Sequence, residues 1–278
     1  MFFSAHYSGD NLVPKFRNGE SRKKVFGPLF MYLNSTWEET DPHILWEDAN
    51  LHLRIEVECQ PYAFPLSEDY QKVEERGSVT DRLLVCDRYI DEQDLHASSA
   101  YIGLALPGEV GSWQTECKGY QFWTRAEADA FSIKNIHTGY YNTYAWVPWF
   151  VGDYMYDTTI AIISRSRIDF GNLVHRPPRD SPMLWEIGYP DRSAVQFYIP
   201  DPKPNYINRL YRNHPDRVRQ YGLWERYADL YPDSDLAFTL GVSDFTKDWF
   251  FAENAYSPTN WQIKFKLDYV NQTESYML

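Results

Sequence analysis

A two-residue hydrophobic period, recurring in short runs along most of the chain, is the feature that most constrains its fold. It is clearest in Trp261-Gln262-Ile263-Lys264-Phe265-Lys266-Leu267, where apolar and polar side chains fall on opposite faces of an extended backbone. Comparable runs occupy Val79 to Cys86, Ala100 to Leu106, Tyr120 to Thr124, Phe131 to Ile136, Tyr140 to Val147, Thr158 to Ile163, Ala194 to Ile199 and Leu236 to Val242. Turn residues separate them, among them Pro107-Gly108, Gly139, Gly152-Asp153 and Pro200-Asp201-Pro202. Short strands punctuated in this way predict an all-β chain of consecutive antiparallel sandwiches, not alternating β and α units. An aromatic content of 17% fits the same reading, because stiff rings suit pleated, half-buried surfaces, and it permits stacking on the apolar faces of sugars.

Two segments depart from the pattern. Asp41-Pro42 offers a helix cap followed by proline in the first turn, which predicts a helix from Asp41 to about Leu51. Leu53, Ile55 and Val57 then alternate with Arg54, Glu56 and Glu58 as in a strand, so the end of that helix stays open. Asn205 to Tyr231 is charged and aromatic, and Val218, Tyr221, Trp224, Tyr227 and Leu230 approximate helical spacing, which predicts short helical insertions in a β module. With 278 residues there is room for about two domains or three small ones. Connectors near 60–77 and 175–183 divide the chain into a short first piece, a middle unit from about Gly77 and a last unit from about Met183.

The net charge of −12 argues against sequence-independent binding to nucleic acid or to anionic membranes, both of which need a positive field. Charge is unevenly spread: residues 1–34 carry +3 and the remainder −15, so an anionic ligand held by charge alone points to the first segment. No run reaches the roughly 18–20 apolar residues that span a bilayer, and Met1 to Asp10 lacks the pattern of a signal peptide, which predicts a soluble chain without a visible address. Cys59, Cys86 and Cys117 lack metal-knuckle spacing and are expected to be small core residues. Two glycosylation triplets, at Asn34 and Asn271, are compatible with secretion.

Sequence signatures of serine hydrolases, zincins, dinucleotide-binding proteins and P-loop enzymes are missing from the chain. Histidines are scattered singly, and His175 and His214 read as structural or loop residues. Acidic loops containing Asp201, Asp233 and Asp235 match no standard calcium spacing, so no cofactor is predicted, although a structural calcium ion is conceivable there.

The strings Lys24-Val25-Phe26-Gly27-Pro28, Arg76-Gly77-Ser78-Val79 with Arg82-Leu83-Leu84-Val85, and Gly119-Tyr120-Gln121-Phe122-Trp123-Thr124-Arg125-Ala126 carry a more specific signal. So do Tyr144-Ala145-Trp146-Val147-Pro148, Leu184-Trp185-Glu186-Ile187-Gly188 and Lys247-Asp248-Trp249-Phe250-Phe251-Ala252. Taken in order, they resemble the plant rhamnogalacturonan lyases of polysaccharide lyase family 4. The resemblance implies three parts: a C-terminal remnant of a catalytic β-sandwich over residues 1–58, a fibronectin type III-like domain over 70–175, and an incomplete jelly-roll domain similar to carbohydrate-binding modules over 183–278. It also implies a chain truncated at both ends.

The family's reaction is β-elimination at galacturonate. A base removes the C5 proton, cationic or hydrogen-bonding groups neutralise the sugar carboxylate, and an acid assists the departing rhamnose oxygen. The resemblance places the family's catalytic histidine at His6 and puts the partner lysine and arginine ahead of Met1. It implies an inactive rhamnogalacturonan endolyase-like polypeptide, or alternatively a set of carbohydrate-binding or spacer modules. The implied partner is pectic rhamnogalacturonan I, with no nucleic acid and no membrane, the chain being a monomer. The implied location of the parent protein is extracellular, at the cell wall. For sugar contact the favoured residues are Trp224 with Arg217, Arg219 and Arg226, an indole next to guanidinium groups suited to uronates. Trp185, Trp249 and Trp261 are further candidates for stacking. Two positions depart from the family pattern, Asp81 and Trp149, each standing where glycine is usual. At Trp149 a rearranged loop is expected, since tryptophan tolerates glycine geometry poorly.

Overall fold

The computed structural model describes residues 13–25, 27–37, 41, 43–192, 237–248, 262–273 and 275–276. The described residues divide into two compact units. The first is built on 47–184 with the described residues before 36 and with 189–192; the second comprises the described residues of 36–46, 185–188 and those beyond 193.

The first unit is a two-sheet β module. Strand β1 (Gly77–Val85) buries every second residue, so that Val79, Leu83 and Val85 are fully enclosed while Thr80, Arg82 and Leu84 face away from the core. It pairs antiparallel with β2 (Leu95–His96) and β5 (Ala130–Ile136), and parallel with β9 (Arg167–His175). The second sheet runs β4 (Phe122–Arg125), β3 (Tyr101–Ala105), β6 (Gly139–Trp146) and β7 (Tyr154–Met155), with β8 (Ile160–Ile162) also on β6. The inward side chains of both sheets form one core that includes Val79, Leu83, Ile102, Leu104, Ile133 and Ile162. Strand β6 is enclosed on both faces from Tyr141 to Ala145. On its outer face the Tyr144 hydroxyl donates to the carbonyls of Leu106 and Gly108, each at 3.1 Å, which fastens the loop after β3 over the sheet.

All-β architecture is therefore as the alternation predicts, but the pairing is not uniformly antiparallel. Strand β9 follows β8 after a short turn, and because the rest of the module lies between it and β1 in sequence, no hairpin fixes the direction in which the two pair. Trp149, which stands where glycine is usual in the resembled family, adopts the left-handed backbone that glycine favours, with φ of 76°. Asp81 does not use glycine-like geometry; it occupies an inward position of β1, where the β1–β9 register shifts between Thr80 and Arg82.

Helix α1 (His43–Glu58) begins where the Asp41 carboxylate accepts the His43 backbone N–H at 2.9 Å, as its capping sequence predicts. It continues past Leu51 through the alternating stretch, and on a helix that alternation distributes Leu53, Ile55 and Val57 over the surface, where all three are exposed. None of the three cysteines is buried and none is bonded to another, so they are not core residues: Cys59 is exposed just beyond α1, and Cys86 lies 2.8 Å from an Arg176 guanidinium nitrogen.

In the second unit, β10 (Ala237–Thr239) and β11 (Gln262–Lys264) pair in parallel, and a short helix α2 (Phe245–Asp248) follows β10. Phe238 is buried, and the Trp185 ring packs on Phe265 at 5.0 Å.

Candidate functional site

His6, Trp224, Arg217, Arg219 and Arg226 lie outside the described residues, as do Asp201, Asp233, Asp235, His214, Trp249, Trp261 and the predicted strand and helices between 194 and 231. Trp185 is described, and its ring is engaged with Phe265. His175 is a structural residue as its context suggests: it is 1% exposed, a ring nitrogen meets the Val151 carbonyl at 3.3 Å, and burial holds its pKa below the usual histidine value.

The basic first segment is fastened to the middle module. Lys23 pairs with Asp69 at 2.8 Å, and Lys24 donates to the Gly119 carbonyl at 2.6 Å. The Val25 N–H donates to the Tyr120 hydroxyl at 2.8 Å, and Glu20 pairs with Lys118 at 2.6 Å. These charges serve attachment between segments rather than a shared anion site.

Further along, a groove of about 350 Å³ lies between the segment 28–32 and α1. Residues spaced four apart on a helix share a face, which brings His52 and Glu56 into the groove together with Leu53. Phe30 and Tyr32 line the opposite wall, and Tyr62 closes one end. The Tyr32 ring packs at a tilt against His52, with centroids 4.1 Å apart, and its hydroxyl donates to Asp48 at 2.6 Å. Asn34 donates to the same carboxylate at 3.0 Å. These two hydrogen bonds hold the Asp48 pKa below its ordinary value, and the carboxylate in turn raises that of Tyr32. The Tyr62 hydroxyl donates to Glu56, which raises the tyrosine pKa in the same way.

Such a groove can stack an apolar ring face and accept hydrogen bonds from hydroxyl groups. Among the described residues that line it there is no lysine or arginine, so these supply no fixed cation of the kind that a uronate carboxylate and its dianionic elimination intermediate require. Sequence reading missed the groove because it depends on 52–58 being helical, whereas the local alternation reads as extended. Among the described residues, no cluster of three or more His, Cys, Asp or Glu side chains could hold a metal ion, and no helix is long and apolar enough to cross a membrane.

Residues 97–170 match the family model described as polysaccharide lyase family 4, domain II, and residues 183–278 match that of domain III of the same family. Two modules in this order support polysaccharide lyase family 4 as the class to which the chain relates. The particular protein it resembles is the rhamnogalacturonate lyase of Dickeya dadantii (strain 3937), with 24% identity over 244 residues, or 87% of this chain and 35% of that protein. The chain thus spans about a third of the length of this relative. Among solved structures, a candidate carbohydrate-binding protein of Pseudomonas aeruginosa aligns with 41% of this chain and 98% of its own, at a TM-score of 0.24 and 12% identity. A 9R-lipoxygenase from Cyanothece aligns with 49% of this chain and 24% of its own, at a TM-score of 0.20 and 14% identity. Likenesses at these scores bear no weight here.

Proposed function

We propose that this chain works on pectin as part of a secreted rhamnogalacturonan lyase of the plant type, its modules recognising the polysaccharide, and that the 278-residue polypeptide alone does not cut it. The observation that carries this reading is the succession of domain II and domain III matches along one chain, together with a relative that is a rhamnogalacturonate lyase.

The inactivity follows from the chemistry. Elimination needs a base at C5, a cation at the carboxylate and a proton donor at the leaving oxygen, and a missing member of an acid–base pair typically forfeits about 10²- to 10⁴-fold. His6 supplies one such group in this reading. The described groove at 28–62 supplies carboxylates and aromatic rings but no cation. The remaining modules, a fibronectin-like one over 70–175 and a carbohydrate-binding-like one over 183–278, then serve retention on the cell-wall polymer, with the chain monomeric.

Incubation with rhamnogalacturonan tests both halves. Retention on the immobilised polymer without growth of the ultraviolet absorbance of unsaturated uronate is the expected result. A sustained rise in that absorbance overturns the inactivity, and a lack of retention overturns the recognition role.

A further inference from the structure

We propose that the outer face of the β4–β3–β6 sheet in the middle module carries a binding platform for a carboxylate-bearing sugar chain, centred on Trp149 and flanked by Arg125 and Arg192. The proposal deepens the polysaccharide-recognition reading above and rests on it.

Its frame follows from strand register. Tyr101 lies directly opposite Arg125 on one side and Trp146 on the other. Since Ile102 and Leu104 point into the core, Tyr101 and its two partners share the outward face. The Tyr101 and Trp146 rings stack at 4.5 Å with an interplanar angle of 8°. The Arg125 guanidinium covers the free face of Tyr101 at 5.6 Å, and that of Arg192 covers Trp146 at 4.9 Å. Two exposed guanidinium groups are thereby held at the ends of one rigid row. Arg192 also pairs with Asp153, which fixes its orientation while engaging only part of its five-donor fork. Arg125 makes no ion pair among the described residues.

Trp149 follows Trp146 by three residues in the chain, and its partners Tyr189 and Pro190 belong to the same segment as Arg192. A non-glycine residue in the left-handed region costs on the order of 1–3 kcal/mol and persists only where its surroundings impose it. Here the Trp149 N–H donates to the Pro190 carbonyl at 3.2 Å, and the indole meets Tyr189 edge-on at 5.0 Å. Burial does not offset the strain, because Trp149 remains 57% exposed and Tyr189 52%. The fold thus displays the largest aromatic side chain at a position suited to glycine and leaves its ring in water. The exposed Trp149 indole offers a flat surface on which the apolar face of a pyranose can stack. Guanidinium groups match carboxylates in shape and charge. A neutral glycan uses only the first feature and a small anion only the second, so the combination selects a uronate-containing polysaccharide.

The test is affinity electrophoresis of the 278-residue chain through gels containing rhamnogalacturonan, polygalacturonate or neutral galactan. Retardation by the two acidic polymers, and little by galactan, is expected. Trp149→Gly should weaken it roughly five- to tenfold, as truncation of an interface anchor does, without lowering the thermal midpoint, since glycine relieves the left-handed backbone. Arg125→Gln, a surface change that should leave folding intact, should weaken binding to the acidic polymers and flatten its salt dependence. Trp37→Ala, which removes a fully exposed tryptophan elsewhere, should have no effect. Full retardation of both Trp149→Gly and Arg125→Gln overturns this surface while leaving polysaccharide recognition standing. Equal retardation by galactan overturns the acidic class. Failure of the unaltered chain to bind either acidic polymer overturns the platform and the recognition role together. If Trp149→Gly unfolds, Arg125→Gln decides alone.

Discussion

The Asp81 carboxylate accepts the backbone N–H of Phe170 at 2.8 Å, bridging the register shift between β1 and β9. A second backbone donor, the Arg82 N–H, reaches the same side chain at 2.6 Å. Asp81 is 8% exposed, and no cation is bonded to it among the described residues. The side chain therefore substitutes for a ladder acceptor that the bulge displaces, which explains how an acid is tolerated at an inward position between Val79 and Leu83. Replacing Asp81 by Ala should leave buried donors unpaired and cost about 1–3 kcal/mol, measured as the shift of the urea midpoint at constant m-value.

The same carboxyl has its pKa raised above the ordinary 3.8, chiefly by desolvation. The folded state therefore holds its proton more tightly than the unfolded chain does. Its contribution to stability is greatest below 3.8 and declines as pH rises through the raised folded value. Asp81→Asn, which keeps one acceptor and has no charge to desolvate, should remove this decline from the stability–pH profile. A profile identical to that of the unaltered chain would contradict the assignment.

His137 works in the opposite sense. Its ring packs on Tyr120 at 4.4 Å and on Phe122 at 5.7 Å, and desolvation, aided by Arg76, lowers its pKa to about 4. The unfolded chain takes up the proton near 6.5, so stability from this group is complete above that pH and falls as pH drops towards 4. The loss should be of order 1–3 kcal/mol. His137→Phe, which keeps a ring between the same neighbours, should flatten the profile across that interval in pH-resolved denaturant titrations.

Gly103 is a packing requirement. A methyl group built on it would lie 2.2 Å from the Trp123 ring, which crosses the strand at this point and is itself packed against Trp113 at 4.5 Å. Gly103→Ala should destabilise by about 1–3 kcal/mol through overpacking. Its near-ultraviolet circular dichroism should change as Trp123 shifts, and an unchanged spectrum and midpoint would count against this account.

How legible these features were depended on how local their causes are. Strands β1 and β5 can be read from the sequence because each buries alternate residues against one core, whereas β3 and β6, enclosed on both faces over most of their length, show as short apolar and aromatic runs between turn residues. Strand β9 was hidden: Gly171 and Asn172 interrupt its apolar period, and its parallel seat beside β1 is set by a partner some ninety residues away. The Leu53–Val57 alternation pointed to a strand in a segment that is helical here, since periodicity reports which faces a residue would occupy and not whether a sheet is present to receive them. The Arg125–Tyr101–Trp146 row was invisible for a related reason, because residues so far apart in sequence become neighbours only once strand register is fixed. Trp149 stands out in the sequence as a tryptophan where glycine is usual, and its backbone takes the left-handed conformation that glycine favours.

Because β1 and β9 run side by side in the same direction, Gly77 and His175 lie at opposite ends of one parallel strand pair. Tension applied between those points acts along the strands and loads the inter-strand bonds in shear, all together, instead of peeling them apart in turn. A strand pair wired in this manner resists extension between those two points.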